Sequence, residues 1–173
     1  MSFSGNIYLI GFMASGKTAV GRILAKKLGK KYVSTDTLIE KKAKKKIRTI
    51  FREKGEGLFR KLETGILISV SKKKGLVISC GGGIVLKPEN RRVLKRTGTC
   101  VWLKASPLTV NARLGSLKTR PLLNIPDKIK RLAKIKQLMS ARSRHYKAAS
   151  NLEVDTDRLN VQKTASMIIS GLS

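Results

Sequence analysis

Apolar residues along the chain form two recurring patterns, short compact runs and longer stretches with helical spacing. Five short runs are typical of buried strands, and they cover residues 6–10, 31–34, 76–80, 99–104 and 152–155. Between them, apolar residues three and four positions apart predict helices with one buried face. Strands that alternate with helices indicate a parallel sheet covered on both faces. The pattern therefore predicts an α/β fold.

The helical stretches have recognisable starts and ends. Apolar positions 19, 23, 24 and 28 predict the inner face of the first helix, which Gly29 ends. A lysine-rich helix over 38–47 follows, then a short helical piece up to Gly55 and a longer helix over 59–70. Later helices are predicted over 88–96, from Ser106 and Pro107 onward, over 126–147 and over 161–170. Without a linker or repeat, residues 1–173 are expected to form a single domain.

A glycine-rich turn joins the first strand to the first helix. Its residues, Gly11–Thr18, fit the pattern G-x-x-x-x-G-K-[ST]. In such a loop, backbone N–H groups and the helix N-terminus bind phosphate oxygens, the lysine reaches the β- and γ-phosphates, and the hydroxyl binds Mg²⁺. An ordinary glycine-rich turn is the alternative. We predict that the nucleotide-binding residues are Gly11, Ala14, Ser15, Gly16, Lys17 and Thr18.

The loop indicates the ligand but not the reaction, because kinases, GTPases, ATPases and helicases share it. The chain has no N-K-x-D motif for reading guanine, and a helicase is usually longer than 173 residues. A basic segment with glycine and proline follows the fourth strand, and it is typical of a mobile lid. These features favour phosphoryl transfer to a small molecule.

Three further features predict an acceptor site. Asp36 follows the second strand, at the sheet edge where ligands bind in parallel α/β folds. Its carboxylate is suited to accept a hydrogen bond or a proton from an attacking hydroxyl. The alternative is that Asp36 caps a helix. Arg60 and Glu63 share a helix face, where arginine is suited to bind a carboxylate; a surface ion pair is the alternative. The run Gly81–Gly83 allows close approach to the backbone, where a simple turn needs fewer glycines.

In this combination the chain resembles the shikimate kinases over almost its whole length. The motifs occur in the family's order: the phosphate loop, an aspartate after the second strand, F-R-x-x-E, G-G-G, R-P-L-L and a late basic helix. The resemblance implies a P-loop, three-layer α/β/α fold with a five-stranded parallel sheet and a mobile lid. It also implies transfer of the ATP γ-phosphate to the 3-hydroxyl of shikimate, with Mg²⁺ as cofactor, in aromatic amino-acid biosynthesis.

The resemblance assigns roles on the acceptor side. Asp36 matches the aspartate that contacts the attacking hydroxyl, and Arg60 and Arg142 match the arginines that hold the shikimate carboxylate. Glu63 matches a glutamate that supports these arginines. The two glycines that match those contacting shikimate are Gly82 and Gly83.

On the nucleotide side, Arg120 matches the lid arginine that closes over the phosphates. Arg113 matches the residue that packs on adenine, and Asn160 lies near a second adenine-contacting stretch. The resemblance places the catalytic roles on Lys17, Asp36 and Arg120. It places the lid at about 113–124 and the substrate-binding helical region at about 35–62.

One departure concerns the metal. Many family members have D-T-D after the second strand, whereas this chain has Ser34-Thr-Asp36. Ser79 stands where a Walker-B-like residue is expected and is also uncharged. Magnesium is therefore expected to depend on Thr18, phosphate and water, with Ser34 and Ser79 acting only through water.

Charge is the most unusual feature of the composition. The chain has 38 lysines and arginines against 10 acidic residues, a formal net charge of +28. This charge predicts attraction to polyanions, including non-specific nucleic acid. A nucleic-acid-associated NTPase is thus one alternative function, although only eight aromatic residues are present and no specific nucleic-acid partner is expected. A gluconate-type or other small-metabolite kinase is the second alternative.

The remaining expectations concern location and cysteines. No apolar run is long enough to span a membrane, and no signal peptide is visible, so a cytoplasmic protein without a membrane partner is expected. Cys80 and Cys100 lack metal-ligand spacing and are expected to be reduced core thiols. A monomer is expected, with ATP and shikimate as its ligands, and His145 is expected on a helix surface.

Overall fold

Five parallel strands form a single sheet in the computed structural model, which describes residues 5–114 and 123–172. The order of the strands across the sheet is β2-β3-β1-β4-β5. Every neighbouring pair is parallel, which confirms the predicted α/β class. The strands are β1 (Asn6–Ile10), β2 (Lys31–Ser34), β3 (Leu76–Ser79), β4 (Gly98–Lys104) and β5 (Leu152–Asp155).

Helices connect the strands and cover both faces of the sheet. A short 3₁₀ turn, Ile84–Leu86, follows β3. The α-helices are α1 (Lys17–Lys27), α2 (Thr35–Ala43), α3 (Ile47–Ser71), α4 (Pro88–Thr97), α5 (Pro107–Arg113), α6 (Lys128–Ala149) and α7 (Val161–Gly171).

Alternate residues of β1 show how the two layers of helices are built. Ile7 and Leu9 pack in the cluster that includes residues of α1 and α7. Tyr8 and Ile10 face the opposite way and pack with residues of α3, α4 and α6. Both faces of this strand are fully buried, which explains why its sequence is an unbroken apolar run.

Some predicted boundaries and faces were wrong for local reasons. Helix α6 begins at Lys128 rather than at Pro126, because the Asp127 carboxylate accepts a hydrogen bond from Lys130 N (2.8 Å) and caps the helix. In α1, Ala19 is exposed, contrary to the prediction, whereas Leu24 is buried as predicted, together with Val20 and Ala25.

The predicted helix end at Gly55 is confirmed, because two helical segments within the range of α3 meet there at a kink. Gly55 has φ 74° and ψ 174°, whereas the residues on either side are helical. Such a φ suits glycine, which has no Cβ to clash with the backbone. The kink lets the first part of α3 change direction, and Ile47 and Phe51 from that part line the larger cavity described below.

Cys80 and Cys100 are buried and free, as the sequence indicates. His145 lies partly exposed on α6, in agreement with the predicted surface position. Within residues 5–114 and 123–172, no helix has the length and apolar character needed to cross a membrane.

Asn6 holds the amino end of the sheet together. Its amide nitrogen donates to the Lys73 carbonyl (2.6 Å), and its amide oxygen accepts from Leu76 N (3.0 Å). The side chain is only 2% exposed. Both bonds fix the turn before β3 against the start of β1, so this one side chain sets where two neighbouring strands begin.

Replacing Asn6 with alanine should therefore destabilise the protein. The Asn6→Ala variant leaves the Lys73 carbonyl and Leu76 N without their partner, at a cost of about 2–4 kcal/mol. We expect the thermal unfolding midpoint to fall by about 5–15 °C, measured by circular dichroism or scanning calorimetry.

Gln162→Ala is the matched control, because Gln162 carries an exposed amide on α7. Its midpoint should stay within about 2 °C of wild type. Equal midpoints for the two variants would show that the Asn6 bonds do not hold the strands.

Candidate active site

The turn between β1 and α1 has the backbone shape of a phosphate loop. Gly11 and Gly16 have φ 142° and 94°, and Ala14 has φ 60°. Gly16 is the N-cap of α1, and no side chain caps that helix. Lys17 Nζ donates to the carbonyls of Gly11 (2.9 Å) and Phe12 (2.7 Å). The lysine is therefore held against the loop, with the amino end of α1 directly beside it.

A cavity of about 300 Å³ lies over this loop. Thr18, Ser34 and Ser79 contribute hydroxyl groups to it, and Asp36 contributes a carboxylate. Mg²⁺ keeps several waters and takes few protein oxygens, so this donor set fits that ion together with phosphate. The described residues contain no cluster of three or more His, Cys, Asp or Glu side chains that would hold a metal by themselves.

A second and larger cavity, of about 520 Å³, adjoins the first. Met13, Asp36 and Gly82 line both cavities. The larger one also contains Arg60, Glu63, Gly81, Gly83 and Arg142. The structure thus brings the sequence-predicted acceptor residues into one space, next to the phosphate loop.

Asp36 lies in the first turn of α2, but it does not cap that helix. The cap is Ser34, whose hydroxyl accepts a hydrogen bond from Thr37 N (3.4 Å). The alternative of Asp36 as a helix cap was therefore wrong. Ser34 has a structural role at this point in addition to lining the smaller cavity.

Arg60 and Glu63 form a buried pair on α3 rather than a surface ion pair. Arg60 Nη1 lies 2.6 Å from Glu63 Oε2, and Arg60 Nη2 lies 2.9 Å from Glu56 Oε1. Glu63 is completely buried, while the Arg60 side chain is 11% exposed. Two carboxylates thus fix the guanidinium group at the cavity wall.

The glycine run follows β3 and packs against this pair. A Cβ on Gly81 would lie 2.7 Å from Glu63 Oε1 and 2.8 Å from Asp36 Oδ1, and one on Gly83 would collide with the Arg60 guanidinium. The Gly82 carbonyl accepts hydrogen bonds from the Tyr146 hydroxyl and, at 3.4 Å, from Arg142 Nη1. The absence of side chains is thus a packing requirement at Gly81 and Gly83.

Burial and charge shift the protonation of the pair. Burial raises the pKa of Glu63 to about 7, although the positive charge of Arg60 partly opposes this shift. Burial alone would lower the pKa of Arg60, but the carboxylates of Glu63 and Glu56 raise it above its ordinary value. The arginine therefore stays cationic, whereas Glu63 can exchange a proton near neutral pH.

Arg113 is linked to the phosphate loop through Thr156, whereas Asn160 lies at the start of α7. Arg113 donates to the hydroxyl and the carbonyl of Thr156 (3.1 and 2.6 Å). The Thr156 hydroxyl in turn lies 3.4 Å from the Ser15 carbonyl in the loop. Asn160 caps α7 by accepting from Lys163 N (2.8 Å).

Part of the predicted lid, and Arg120 with it, falls in residues 115–122, outside the described residues. Sequence reasoning missed Arg131, a buried arginine on α6 close to the ends of this segment. Its Nε donates to Asn111 Oδ1 (2.8 Å) and its Nη1 to the Ile125 carbonyl (3.2 Å). It also missed Tyr146, because its position late in α6, between His145 and Lys147, gives no sign of its bond to Gly82.

Comparison with known proteins shows which family has this arrangement of residues. The family model described as "Shikimate kinase" matches residues 13–173. A shikimate kinase from Sulfurihydrogenibium sp. is 44% identical over 164 residues, which are 95% of this chain and 93% of that protein.

The solved structures agree with the sequence comparison. A shikimate kinase from Acinetobacter baumannii in complex with shikimate superposes with a TM-score of 0.94 at 33% identity, over 99% of this chain and 94% of that one. A gluconokinase from Sinorhizobium meliloti gives a TM-score of 0.59 at 16% identity, over 99% of this chain and 93% of that one. At that identity the second likeness concerns the fold alone.

The buried carboxylate of Glu63 should make stability depend on pH. Its pKa in the folded protein, about 7, lies above the ordinary value of 4.5. Its contribution to stability is therefore complete below about pH 4.5 and is lost as the pH rises through about 7. We expect the wild type to lose on the order of 3 kcal/mol of unfolding free energy relative to Glu63→Gln across that range, measured by denaturant titration without ligands.

Glu89→Gln provides the control, because the Glu89 side chain is half exposed. The free-energy difference between wild type and this variant should stay constant to within about 0.5 kcal/mol over the same pH range. A difference for Glu63→Gln that is equally flat would mean that Glu63 does not titrate in this range.

Proposed function

The chain belongs to the shikimate kinase family, and from this premise we propose which of its residues carry out the reaction. As a member of that family, it transfers the γ-phosphate of ATP to the 3-hydroxyl of shikimate, giving shikimate 3-phosphate and ADP. One observation supports this assignment of roles. The larger cavity, which contains the buried Arg60–Glu63 pair, adjoins the phosphate-loop cavity, and Asp36 lines both.

Arg60 and Arg142 bind the carboxylate of shikimate. Both guanidinium groups line the larger cavity, and the structure of the Acinetobacter baumannii enzyme contains shikimate. Arginine presents paired N–H groups that match the two oxygens of a carboxylate. The bonds from Glu56 and Glu63 hold Arg60 in place before shikimate arrives, so little side-chain order is lost on binding.

Asp36 contacts the attacking hydroxyl of shikimate. It lines both cavities, where a hydroxyl in the larger one meets a phosphate in the smaller one. A carboxylate at that junction accepts the hydrogen bond of the hydroxyl and takes its proton as the new P–O bond forms. With the carboxylate of shikimate fixed by Arg60 and Arg142, Asp36 fixes the opposite end of the ring and Gly82 and Gly83 leave room for it.

The loop Gly11–Thr18 binds the phosphates of ATP. Phosphoryl transfer depends on alignment and on neutralising the charge of the γ-phosphate. The amino end of α1 and Lys17 supply positive charge that neutralises the phosphates. On ATP binding, Lys17 exchanges its hydrogen bonds to the loop carbonyls for hydrogen bonds to phosphate oxygens. Arg113 and Asn160 lie beside the adenine. Arg120 belongs to the lid, about 113–124, which excludes water from the γ-phosphate.

Mg²⁺ is the cofactor that accompanies ATP. Thr18 would be its protein ligand, and Ser34 and Ser79, which line the same cavity, would contact it only through water. When bound, the ion neutralises charge on the β- and γ-phosphate oxygens. Asp36 is the carboxylate of this cavity, and it is committed to the acceptor hydroxyl.

The acceptor residues favour shikimate over gluconate and over nucleic acid. The likeness to a gluconokinase is limited to the fold, and an NTPase stimulated by nucleic acid has no need of the buried Arg60–Glu63 pair. ADP release with shikimate, gluconate, nucleosides, duplex DNA and no acceptor tests this choice. We also propose that the enzyme is a monomer and acts in the cytoplasm.

Removing Arg60 should weaken the binding of shikimate. We expect Arg60→Ala to raise the KM for shikimate about 10- to 100-fold and to leave the KM for ATP within threefold, in a coupled assay of ADP release. Arg60→Lys keeps the charge without the paired N–H groups and should give an intermediate KM. Because Arg60 neutralises Glu63, thermal melting must show that each variant is folded.

Arg52→Ala is the matched control on the same helix, since Arg52 is exposed and does not line either cavity. Its two KM values should equal those of wild type. A KM for shikimate that is unchanged in folded Arg60→Ala would remove Arg60 from the acceptor site.

Replacing the Asp36 carboxylate should slow the chemical step. Asp36→Asn keeps the shape of the side chain but cannot take a proton, so kcat should fall about 100- to 1,000-fold. Asp127→Asn is the matched control, because asparagine caps a helix as well as aspartate does, and its kcat should stay within twofold. Near-normal turnover of Asp36→Asn would leave Asp36 with a structural role only.

A further inference from the structure

One end of the sheet carries a group of basic residues without any acidic residue among them. Four turns precede β2, β3, β4 and β5, at positions 26–31, 72–75, 95–98 and 147–151. We call the surface formed by these turns the basal face. The four turns contain ten lysines and arginines and no aspartate or glutamate. The basal face lies at the amino ends of the parallel strands, whereas both cavities lie at the carboxyl ends.

Contacts between neighbouring turns make the basal face one continuous surface. Lys31 pairs with Leu76 in the β2–β3 register, and the Asn6 side chain binds the Lys73 carbonyl. Gly98 pairs with Asn6, and the Asn151 side chain accepts from Cys100 N (2.9 Å). Five strands at the usual spacing span about 19 Å.

The positive charges of this face are exposed and largely unneutralised. Lys26, Lys27, Lys95 and Arg96 are exposed, as is the run Lys72–Lys74. Among the described residues, none of these seven side chains forms a salt bridge. The salt bridges of the described chain involve other cations, namely Lys45, Lys46, Arg52, Arg60, Lys87 and Lys104.

Helix stability accounts for only part of this pattern. Lysine and arginine in the last turn of a helix interact favourably with the helix dipole, and this explains Lys26 and Lys27 in α1 and Lys95 and Arg96 in α4. Lys73 and Lys74 lie beyond the end of α3, where that interaction has faded. The run 72–74 therefore concentrates charge without a need in folding.

The chemistry of the face favours a phosphate backbone over a bilayer or a single strand. The large apolar residues that are exposed elsewhere, such as Leu58 and Ile129, lie outside these turns, so the face offers no apolar side chain for insertion into lipid. It also has no aromatic residue on which unpaired bases could stack. Over about 19 Å, a duplex presents about 11 phosphate charges.

We infer that the basal face binds double-stranded nucleic acid through its phosphates, without reading the base sequence. The catalytic cleft, at the other end of the strands, stays open to ATP and shikimate. The inference goes beyond the kinase activity and does not depend on the roles proposed for the residues of the cleft.

Binding of a fluorescent 20-base-pair DNA duplex, followed by anisotropy, tests this inference. With about four or five phosphates neutralised, the logarithm of the association constant should fall with the logarithm of salt concentration with a slope of about −4. Affinity should therefore drop about 100- to 300-fold between 50 and 200 mM salt. Two duplexes of unrelated sequence should bind equally.

Location is tested by two triple variants with the same net charge. Lys72→Gln/Lys73→Gln/Lys74→Gln should weaken binding at least tenfold at 100 mM salt and reduce the slope by about 2 to 3. Lys128→Gln/Lys130→Gln/Lys163→Gln changes exposed lysines away from the basal face and should weaken binding less than threefold. Both variants should retain wild-type kinase activity, which shows that they are folded. A double variant in another turn of the basal face, Lys95→Gln/Arg96→Gln, should also weaken duplex binding.

Several results would overturn the inference. Equal weakening by the two triple variants would assign binding to net charge rather than to the basal face. Competition by ATP at constant free Mg²⁺ would assign the duplex to the catalytic cleft. Absence of duplex binding at 50 mM salt, or tight binding to anionic lipid vesicles with none to the duplex, would exclude a nucleic-acid partner.

Discussion

The acceptor cavity depends on one buried carboxylate, that of Glu63. A fully buried charge is too costly to stand alone, so Arg60 must lie against it, and the two groups are 2.6 Å apart. The same carboxylate leaves no room for a Cβ on Gly81, and the guanidinium leaves none on Gly83. The contacts that bury Glu63 on α3 therefore also fix Arg60 and the glycine turn beside it. A fixed arginine is what binding a carboxylate needs as well. The residues serve stability and recognition through one set of contacts.

Most of the fold was predictable because its signals are local. The run 6–10 is apolar at nearly every position, since β1 is buried on both faces, and the glycine loop follows it directly. Boundaries were less predictable, because they depend on which side chain reaches a free N–H group. Asp127 starts α6 two residues later than Pro126 suggested. Gly55, in contrast, was predicted as a helix end and does interrupt the helical backbone.

The residues of the site also differ in how far the sequence could predict them. Asp36 follows β2, and the rule that ligands bind at the carboxyl ends of parallel strands predicted its place. Arg60 lies within α3, and only the family resemblance joined it to Asp36 and Gly82. The contacts of Tyr146 and Arg131 were not predictable, because each joins segments distant in sequence, and neither residue type is unusual in a helix. The prediction of Asp36 as a site residue left a helix cap open as its alternative, and only the hydrogen bond from Thr37 N to Ser34 excludes that cap.

The two ends of the sheet differ in how they treat anions. Both substrates are anions, and a protein of charge +28 attracts any anion, so attraction alone cannot select between them. At the cleft, Glu56 and Glu63 occupy Arg60, and an incoming anion must offer bonds in the same geometry to engage it. At the basal face, the seven exposed lysines and arginines form no salt bridge with any described residue, so they offer charge without a fixed geometry. Selectivity in this molecule therefore comes from its few acidic residues rather than from its many basic ones.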